Sequence, residues 1–299
     1  MVFDLKRMRA FKIIIACGRA SIKEKSITSR IAGGYEVTPH SIPWQAHLII
    51  KTRFIYNGEY MGSSKSGCGG SLISPRNVLS AAHCVDMCDH KCMVTCRTPC
   101  KGSVGNLSEA CDTCMEENMT FGRDPSSFTV ILGAHETSCG ATLCDVEDPI
   151  VTDGIEVPVC SISVPPGLTI KNLYRPIYLN NDFTIVWLTR PVVFNDKISP
   201  VCLPTPNMSK DFFVRKSLTV SGWGQGSMIN GKNILMAVKL PGVSNEVCWK
   251  DNLDNGKYWP DVVWPNVTEN MLCAGEYPIE DKTVCPGDSG GSLYLIQFI

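Results

Sequence analysis

The chain has 299 residues, a formal net charge of −1 and 19% charged residues. That length supports one large core or two modest ones and argues against a disordered chain. The balanced charge offers neither the basic footprint of a nucleic-acid binder nor an acidic tail, and no uninterrupted apolar run approaches the length needed to cross a bilayer.

Residues 1–30 carry Lys6, Arg7, Arg9 and Lys12 ahead of the short apolar run Ile13-Ile14-Ile15-Ala16-Cys17. A secretory leader needs a basic start followed by roughly 7–15 apolar residues. The run is too short, so 1–30 reads as an N-terminal or propeptide segment whose true start is expected to lie elsewhere. Beyond it, short apolar stretches dominate: WQAHLII at 44–50, FTVIL at 128–132, FTIVWL at 183–188 and SLTVSGWG at 217–224. They are rich in residues that suit a pleated, half-buried surface and are punctuated by Gly, Pro, Asn and Asp, which predicts an all-β sandwich or barrel. Short helices are expected around 81–85 and 244–254, the second capped by Ser244 with Glu246 in its first turn. Two stretches break the pattern. About 86–125 holds six cysteines and little apolar sequence, and about 138–167 holds three more with Pro165-Pro166. Both read as insertions on a β scaffold.

The 16 cysteines are the compositional outlier. In a reducing cytosol they would suggest metal sites; in a secretory compartment they suggest disulfides. Four N-x-S/T sequons, at Asn106, Asn118, Asn207 and Asn266, point to the secretory route and are the candidate glycosylation sites. In the first insertion Cys88, Cys92, Cys96 and Cys100 stand four apart, followed by Cys111 and Cys114. On a helix the first four would line one side but sit too far apart for an easy bridge between neighbours. A disulfide-stapled surface loop is the plain reading, and it could overhang a cleft or bind a partner. CxxxC and CxxC are also ligand spacings, but an oxidising compartment opposes metal binding. No metal or cofactor is assigned, and the pairing of these six with Cys139, Cys144 and Cys160 stays open.

Three stretches carry chemistry. In Gly287-Asp288-Ser289-Gly290-Gly291 a serine stands where glycines let backbone N–H groups approach a reacting carbonyl closely. Such donors can stabilise an oxyanion, at about 3–4 kcal/mol for one donor. A serine hydroxyl is a poor nucleophile until a base takes its proton, and alone the stretch is equally a Gly-rich turn. In Ser80-Ala81-Ala82-His83-Cys84 a histidine sits among small residues, and an imidazole's ordinary pKa of ~6.5 suits a general base. Cys68 precedes Cys84 by 16 residues; a bridge closing that loop would add roughly 3 kcal/mol and fix the histidine segment. Asp182, after Asn180-Asn181, leads into an apolar strand. Burying its charge costs several kcal/mol unless it is paired, and a histidine N–H is a suitable partner; an ordinary turn aspartate is the other reading.

AAHC, an Asp before an apolar strand, and GDSGG, in that order, resemble the trypsin-like (chymotrypsin-fold) serine proteases. RIAGG at 30–34, PWQAHL at 43–48, CGGSLIS at 68–74, PVCLP at 200–204, SGWG at 221–224 and MLCAG at 271–275 extend the resemblance over about 17–295, with gaps at the insertions. The resemblance implies two packed six-stranded Greek-key β-barrels with the site in the cleft between them. It implies that His83 is the general base, Asp182 orients it, Ser289 is the nucleophile, and the N–H groups of Gly287 and Ser289 form the oxyanion hole. It implies a zymogen cut after Arg30 by a trypsin-like activator, the new amino terminus at Ile31 pairing with Asp288, whose buried charge requires a counter-charge. It further implies the bridges Cys68–Cys84 and Cys248–Cys273, and Cys17 pairing with Cys202 to tether the cut propeptide.

Where the family has one more bridge, this chain has Leu218 and Leu295. By the same resemblance Cys285 would find its partner beyond residue 299, as would the strand that binds substrate backbone and one wall of the specificity pocket. The sequence is therefore expected to be an incomplete version of domain 31–299, with a poorly formed second barrel and no activity as it stands. The pocket floor falls at Thr283, followed by Val284, or at Lys282 if the loop shifts by one. A neutral Thr283 would leave a basic substrate side chain unpaired, so apolar or aromatic residues are the expected preference. The expected partners are protein or peptide substrates and an activating protease. The alternative is a non-catalytic protease homologue that binds through its Cys-rich insertion.

Overall fold

The computed structural model describes residues 17–24, 34–56, 59–85, 125–139, 150–165, 181–205, 208–255, 267–268, 270–275 and 284–295. In chain order the strands are β1 (Tyr35–Glu36), β2 (Gln45–Tyr56), β3 (Glu59–Ser74), β4 (Asn77–Ser80), β5 (Phe128–Leu132), β6 (Glu136–Thr137), β7 (Ile155–Ser163), β8 (Thr184–Leu188), β9 (Ser217–Gly222), β10 (Met228–Ile229), β11 (Lys232–Ile234) and β12 (Met236–Val243). Helix α1 (Asn245–Asn255) follows, then β13 (Cys273–Ala274) and β14 (Leu293–Tyr294).

The first half closes into a six-stranded barrel in the order β2-β3-β4-β8-β7-β5, antiparallel throughout. Alternation explains the closure. In β8 Thr184, Val186 and Leu188 are buried while Trp187 is exposed. Leu48, Leu72, Val78, Val130, Leu132 and Val157 fill the same interior, each contributing about 1.5–3 kcal/mol by leaving water. The strand β7 lies inside the 138–167 stretch that the sequence suggested was an insertion. It is instead integral to the barrel, paired to β5 on one side and β8 on the other.

The second half is a sheet in the order β1-β12-β9-β14, with β13 paired to β12. Its register sets Leu293 opposite Val220 and Tyr294 opposite Thr219; one residue further places Leu295 across from buried Leu218. Ser244 caps α1, its hydroxyl accepting the Val247 N–H at 3.3 Å. The disulfide Cys248–Cys273 ties α1 to β13.

The two halves meet through buried groups of both. The Ser221 hydroxyl donates to Gln45 Oε1 at 2.7 Å, and the hydroxyls of Ser71 and Ser292 lie 2.5 Å apart. Trp44 and Tyr294 meet edge to face at 5.2 Å, and His47 stacks on Trp223 at 4.9 Å. A small sheet, β10-β11-β6, joins the end of the first half to a hairpin of the second. Buried polar groups paired across a seam resist sliding, because separation would leave each without a partner.

Candidate active site

β4 delivers the histidine. After Ser80 the chain turns through extended Ala81 into one 3₁₀ turn, Ala82–Cys84, closed by the N–H of Cys84 on the Ala81 carbonyl (3.2 Å) and that of Val85 on the Ala82 carbonyl (3.0 Å). Ala82 and Cys84 face the core, so His83 between them points outward, its side chain 39% exposed. The disulfide Cys68–Cys84 pins this turn to β3, and the Ser80 hydroxyl donates to the Gly69 carbonyl at 2.7 Å.

Asp182 arrives from the turn before β8. Asn181 has φ 63°, a left-handed conformation asparagine tolerates, and its carbonyl accepts the Phe183 N–H at 2.8 Å. That turn aims the Asp182 carboxylate at His83. Oδ1 accepts the His83 backbone N–H at 2.9 Å, and Oδ2 lies 2.6 Å from ring Nδ1. Burial alone would raise the Asp182 pKa. The hydrogen bond and charge of His83, with the backbone N–H groups of His83 and Ala82, outweigh it and hold the carboxyl below its ordinary range. With Nδ1 engaged, Nε2 is the ring nitrogen suited to take a proton.

The serine sits in a chain of tight turns. Gly287 and Gly290 have φ 98° and 77°, where a side chain would be strained. The Asp288 N–H donates to the Cys285 carbonyl at 3.0 Å and the Gly291 N–H to the Asp288 carbonyl at 2.9 Å. The whole loop is clamped onto β3. Gly69 N–H donates to the Ser289 carbonyl at 2.7 Å, and the Cys84 Sγ lies 3.7 Å from the same oxygen. A Cβ on Gly69 would come within 2.6 Å of the Gly291 nitrogen, so only glycine lets these backbones approach. One strand and one disulfide therefore position both His83 and Ser289. Among the described residues, the backbone N–H groups of Gly287 and Ser289 are not bonded to any carbonyl, leaving two donors beside the serine.

Asp288 turns away from the serine into a cavity lined by Gly34, Gly222, Gly224, Gln225, Val284 and Cys285, among others. Its oxygens accept the Gly224 N–H at 2.8 Å and the Cys285 N–H at 3.0 Å. Burial raises the Asp288 pKa, and these two N–H groups oppose the rise. A Cβ on Gly224 would fall 2.6 Å from Asp288 Oδ1, so the carboxylate depends on glycine at that position.

Val284 is half exposed and lines this cavity. Cys285 has a free thiol whose pKa is raised by burial and by the Asp288 charge. Arg30, Ile31, Thr283, Lys282 and the four sequons at Asn106, Asn118, Asn207 and Asn266 lie outside the described residues, as do Cys88–Cys114 and Cys144. The bridges Cys17–Cys202, Cys68–Cys84 and Cys248–Cys273 are all formed. Cys139 is also disulfide-bonded, and Cys160 is free and exposed. The donor atoms of Cys68, His83 and Cys84 lie within 4.8 Å of one another, but the two sulfurs are bonded together and offer no thiolate to a metal. Sequence reasoning missed the clamp at Gly69 and the role of Gly224. Both lie in motifs noted as a resemblance, CGGSLIS and SGWG, without a contact to explain them.

The described helices include none long and apolar enough to cross a membrane. The profile of the Trypsin family matches residues 31–106 and 161–297, together more than half of the chain. The chain is also 29% identical over 290 residues to the clotting factor G beta subunit of Tachypleus tridentatus, an alignment covering 92% of this chain and 70% of that protein.

Proposed function

Because the chain belongs to the trypsin family of serine proteases, we propose that it is a serine endopeptidase working through Ser289, His83 and Asp182. The observation that carries this is the grip of Asp182 on the backbone N–H and the ring Nδ1 of His83, in a frame that also holds the Ser289 loop through Gly69. His83 Nε2 takes the Ser289 hydroxyl proton as Oγ attacks the scissile carbonyl. The tetrahedral oxyanion is held by the N–H groups of Gly287 and Ser289. His83 then returns the proton to the leaving amine, and the acyl-enzyme remains. Water, activated by His83 in the same way, releases the acid and restores the serine. Asp182 keeps the imidazole in the tautomer and orientation this needs and stabilises the cation that forms.

Activation follows from Asp288. Among the described residues its carboxylate accepts two backbone N–H groups and meets no cation, and it opens on a cavity reached by Gly34. A cut after Arg30 would free an ammonium at Ile31, three residues upstream of Gly34, and pairing there would neutralise the buried charge. Disulfides formed across the domain support secretion into an oxidising compartment. Thr283 and Val284, both neutral, favour apolar or aromatic side chains in the specificity pocket, and a clotting-factor relative fits a protein that is itself switched on by an upstream protease. The test is to treat the purified full-length protein with trypsin, confirm the cut after Arg30 by mass, and assay peptide substrates differing only at the residue before the scissile bond. Hydrolysis after Phe or Leu, absent before the cut and absent in Ser289→Ala, is expected. A cut protein that hydrolyses none of them, while folded, would support the binding-homologue reading instead.

A further inference from the structure

The two halves also meet at the surface, beside the acid. Asn270 Nδ2 donates to Asn181 Oδ1 at 3.4 Å, and both residues are exposed. Asn181 belongs to the turn before β8 and Asn270 to the segment before β13, so the bond runs from one half to the other. The aromatic and hydroxyl contacts that join the halves elsewhere are buried. This one ends on the residue that immediately precedes Asp182.

Asn270 is delivered by a turn that is itself held from several sides. The Met271 N–H donates to the Thr268 carbonyl at 3.1 Å, and the Asn270 N–H donates to Thr268 Oγ1 at 3.3 Å. Asn245, the first residue of α1, reaches across from the helix. Its Nδ2 donates to the Thr268 carbonyl at 2.8 Å and to the Met271 carbonyl at 3.2 Å. Just beyond Met271, Cys273 is bonded to Cys248 of α1. The backbone under Asn270 is thus fixed before its side chain bonds, which lowers the cost of making the contact.

At its other end the bond meets a backbone that needs support. Asn181 has φ 63°. The left-handed region is unfavourable for residues other than glycine, and asparagine tolerates it best among the rest. A return of Asn181 to negative φ would send the chain out of the turn in another direction. Asp182 would then miss the backbone N–H and ring Nδ1 of His83, which it now holds at 2.9 and 2.6 Å. The Asn181 carbonyl closes the turn from within by accepting the Phe183 N–H at 2.8 Å. Asn270 holds the Asn181 side chain from outside.

We propose that Asn270 is a positioning residue: through Asn181 it steadies the turn that aims Asp182 at His83, so the acid of the first half is kept in line by the half that carries Ser289. The kinetic consequence rests on the reading that these three residues form a catalytic triad. An exposed hydrogen bond adds little to stability. What it adds here is direction, and a small error of aim is costly where a proton must be transferred.

Four full-length variants are compared with the unaltered protein after the cut that follows Arg30, confirmed by mass. Asn270→Ala removes the donor. Asn270→Asp keeps a bond, because the Asn181 amide can turn and donate to the carboxylate. Asn181→Gly keeps the positive φ but removes the acceptor. The fourth is Asn181→Gly/Asn270→Ala. In Asn270→Ala kcat is expected to fall about tenfold with KM unchanged, and in Asn270→Asp to stay within about twofold of the unaltered protein. The double variant is expected to be no worse than the weaker single one, since both lose the same bond. Melting temperatures are expected to agree within about 2–4 °C. An unchanged kcat in Asn270→Ala, equal losses in Asn270→Ala and Asn270→Asp, or losses that multiply in the double variant would overturn the proposal. So would a larger fall in melting temperature for Asn270→Ala, which would mark the residue as structural.

A second readout needs no turnover. The proton that His83 Nδ1 shares with Asp182 across 2.6 Å is strongly deshielded and gives a downfield resonance in the proton magnetic resonance spectrum of the whole chain. It is expected in the unaltered and Asn270→Asp proteins, and moved upfield or lost to exchange with water in Asn270→Ala. A resonance identical in all three, or absent from the unaltered chain, would overturn the strut. If the cut, unaltered protein hydrolyses nothing, the catalytic reading fails and this resonance decides the strut by itself.

Discussion

The Asp182 carboxylate holds His83 twice, by the backbone N–H at 2.9 Å and by ring Nδ1 at 2.6 Å. Both oxygens are therefore occupied by donors. An amide in place of the carboxylate would turn an NH₂ group toward one of them and force the imidazole into the other tautomer. Asp182→Asn is expected to lower kcat by about four orders of magnitude with the fold intact. Steady-state kinetics beside a circular-dichroism spectrum checks both halves.

Gly224 and Asp288 make a second such pair. The Gly224 N–H donates to Asp288 Oδ1 at 2.8 Å, and a Cβ on Gly224 would lie 2.5 Å from the Asp288 Cγ. Gly224→Ala must displace the carboxylate and, through the adjacent Ser289, the backbone N–H groups of Gly287 and Ser289. The expected outcome is a loss of about a hundredfold or more in kcat, with the cut after Arg30 proceeding as in the unaltered chain. Cleavage followed by mass and single-turnover hydrolysis separate the two steps.

His47 predicts a pH dependence of stability. It is fully buried, stacked on Trp223, and its Nδ1 has no partner among the described residues. Burial pushes its pKa down from 6.5 to about 3. The folded chain thus holds His47 neutral while the unfolded chain protonates it, so the unfolded state binds more protons and stability falls as the pH drops from 6.5 toward about 3. His47→Leu is expected to flatten the slope of melting temperature against pH between ~6.5 and ~5, whatever it does to the melting temperature itself. Identical slopes in the two proteins would remove His47 from the account.

Some of this was legible in the sequence because the chemistry is local. GDSGG announces a serine among backbone donors, and the small residues around His83 announce an approachable imidazole. The Ser244 cap and the apolar alternation of β8 were equally readable. β7 was not. Pro158 interrupts it, and a proline argues against a strand. The barrel tolerates it because Pro158 is exposed and contributes only its carbonyl, which accepts the Thr189 N–H at 3.0 Å and the Thr189 hydroxyl at 3.1 Å. The clamp of Gly69 on Ser289 spans two distant parts of the chain. No local pattern marks such a contact; it exists only once the halves are packed.

The most direct test is covalent. The activated protein is exposed to a phosphonate that reacts with an activated serine, and the modified residue is located by mass spectrometry. The structure predicts stoichiometric labelling at Ser289 that is abolished by Ser289→Ala and by His83→Ala. A folded, correctly cut protein that takes no label, or one whose labelling persists without Ser289, would contradict the assignment of these residues as a catalytic unit.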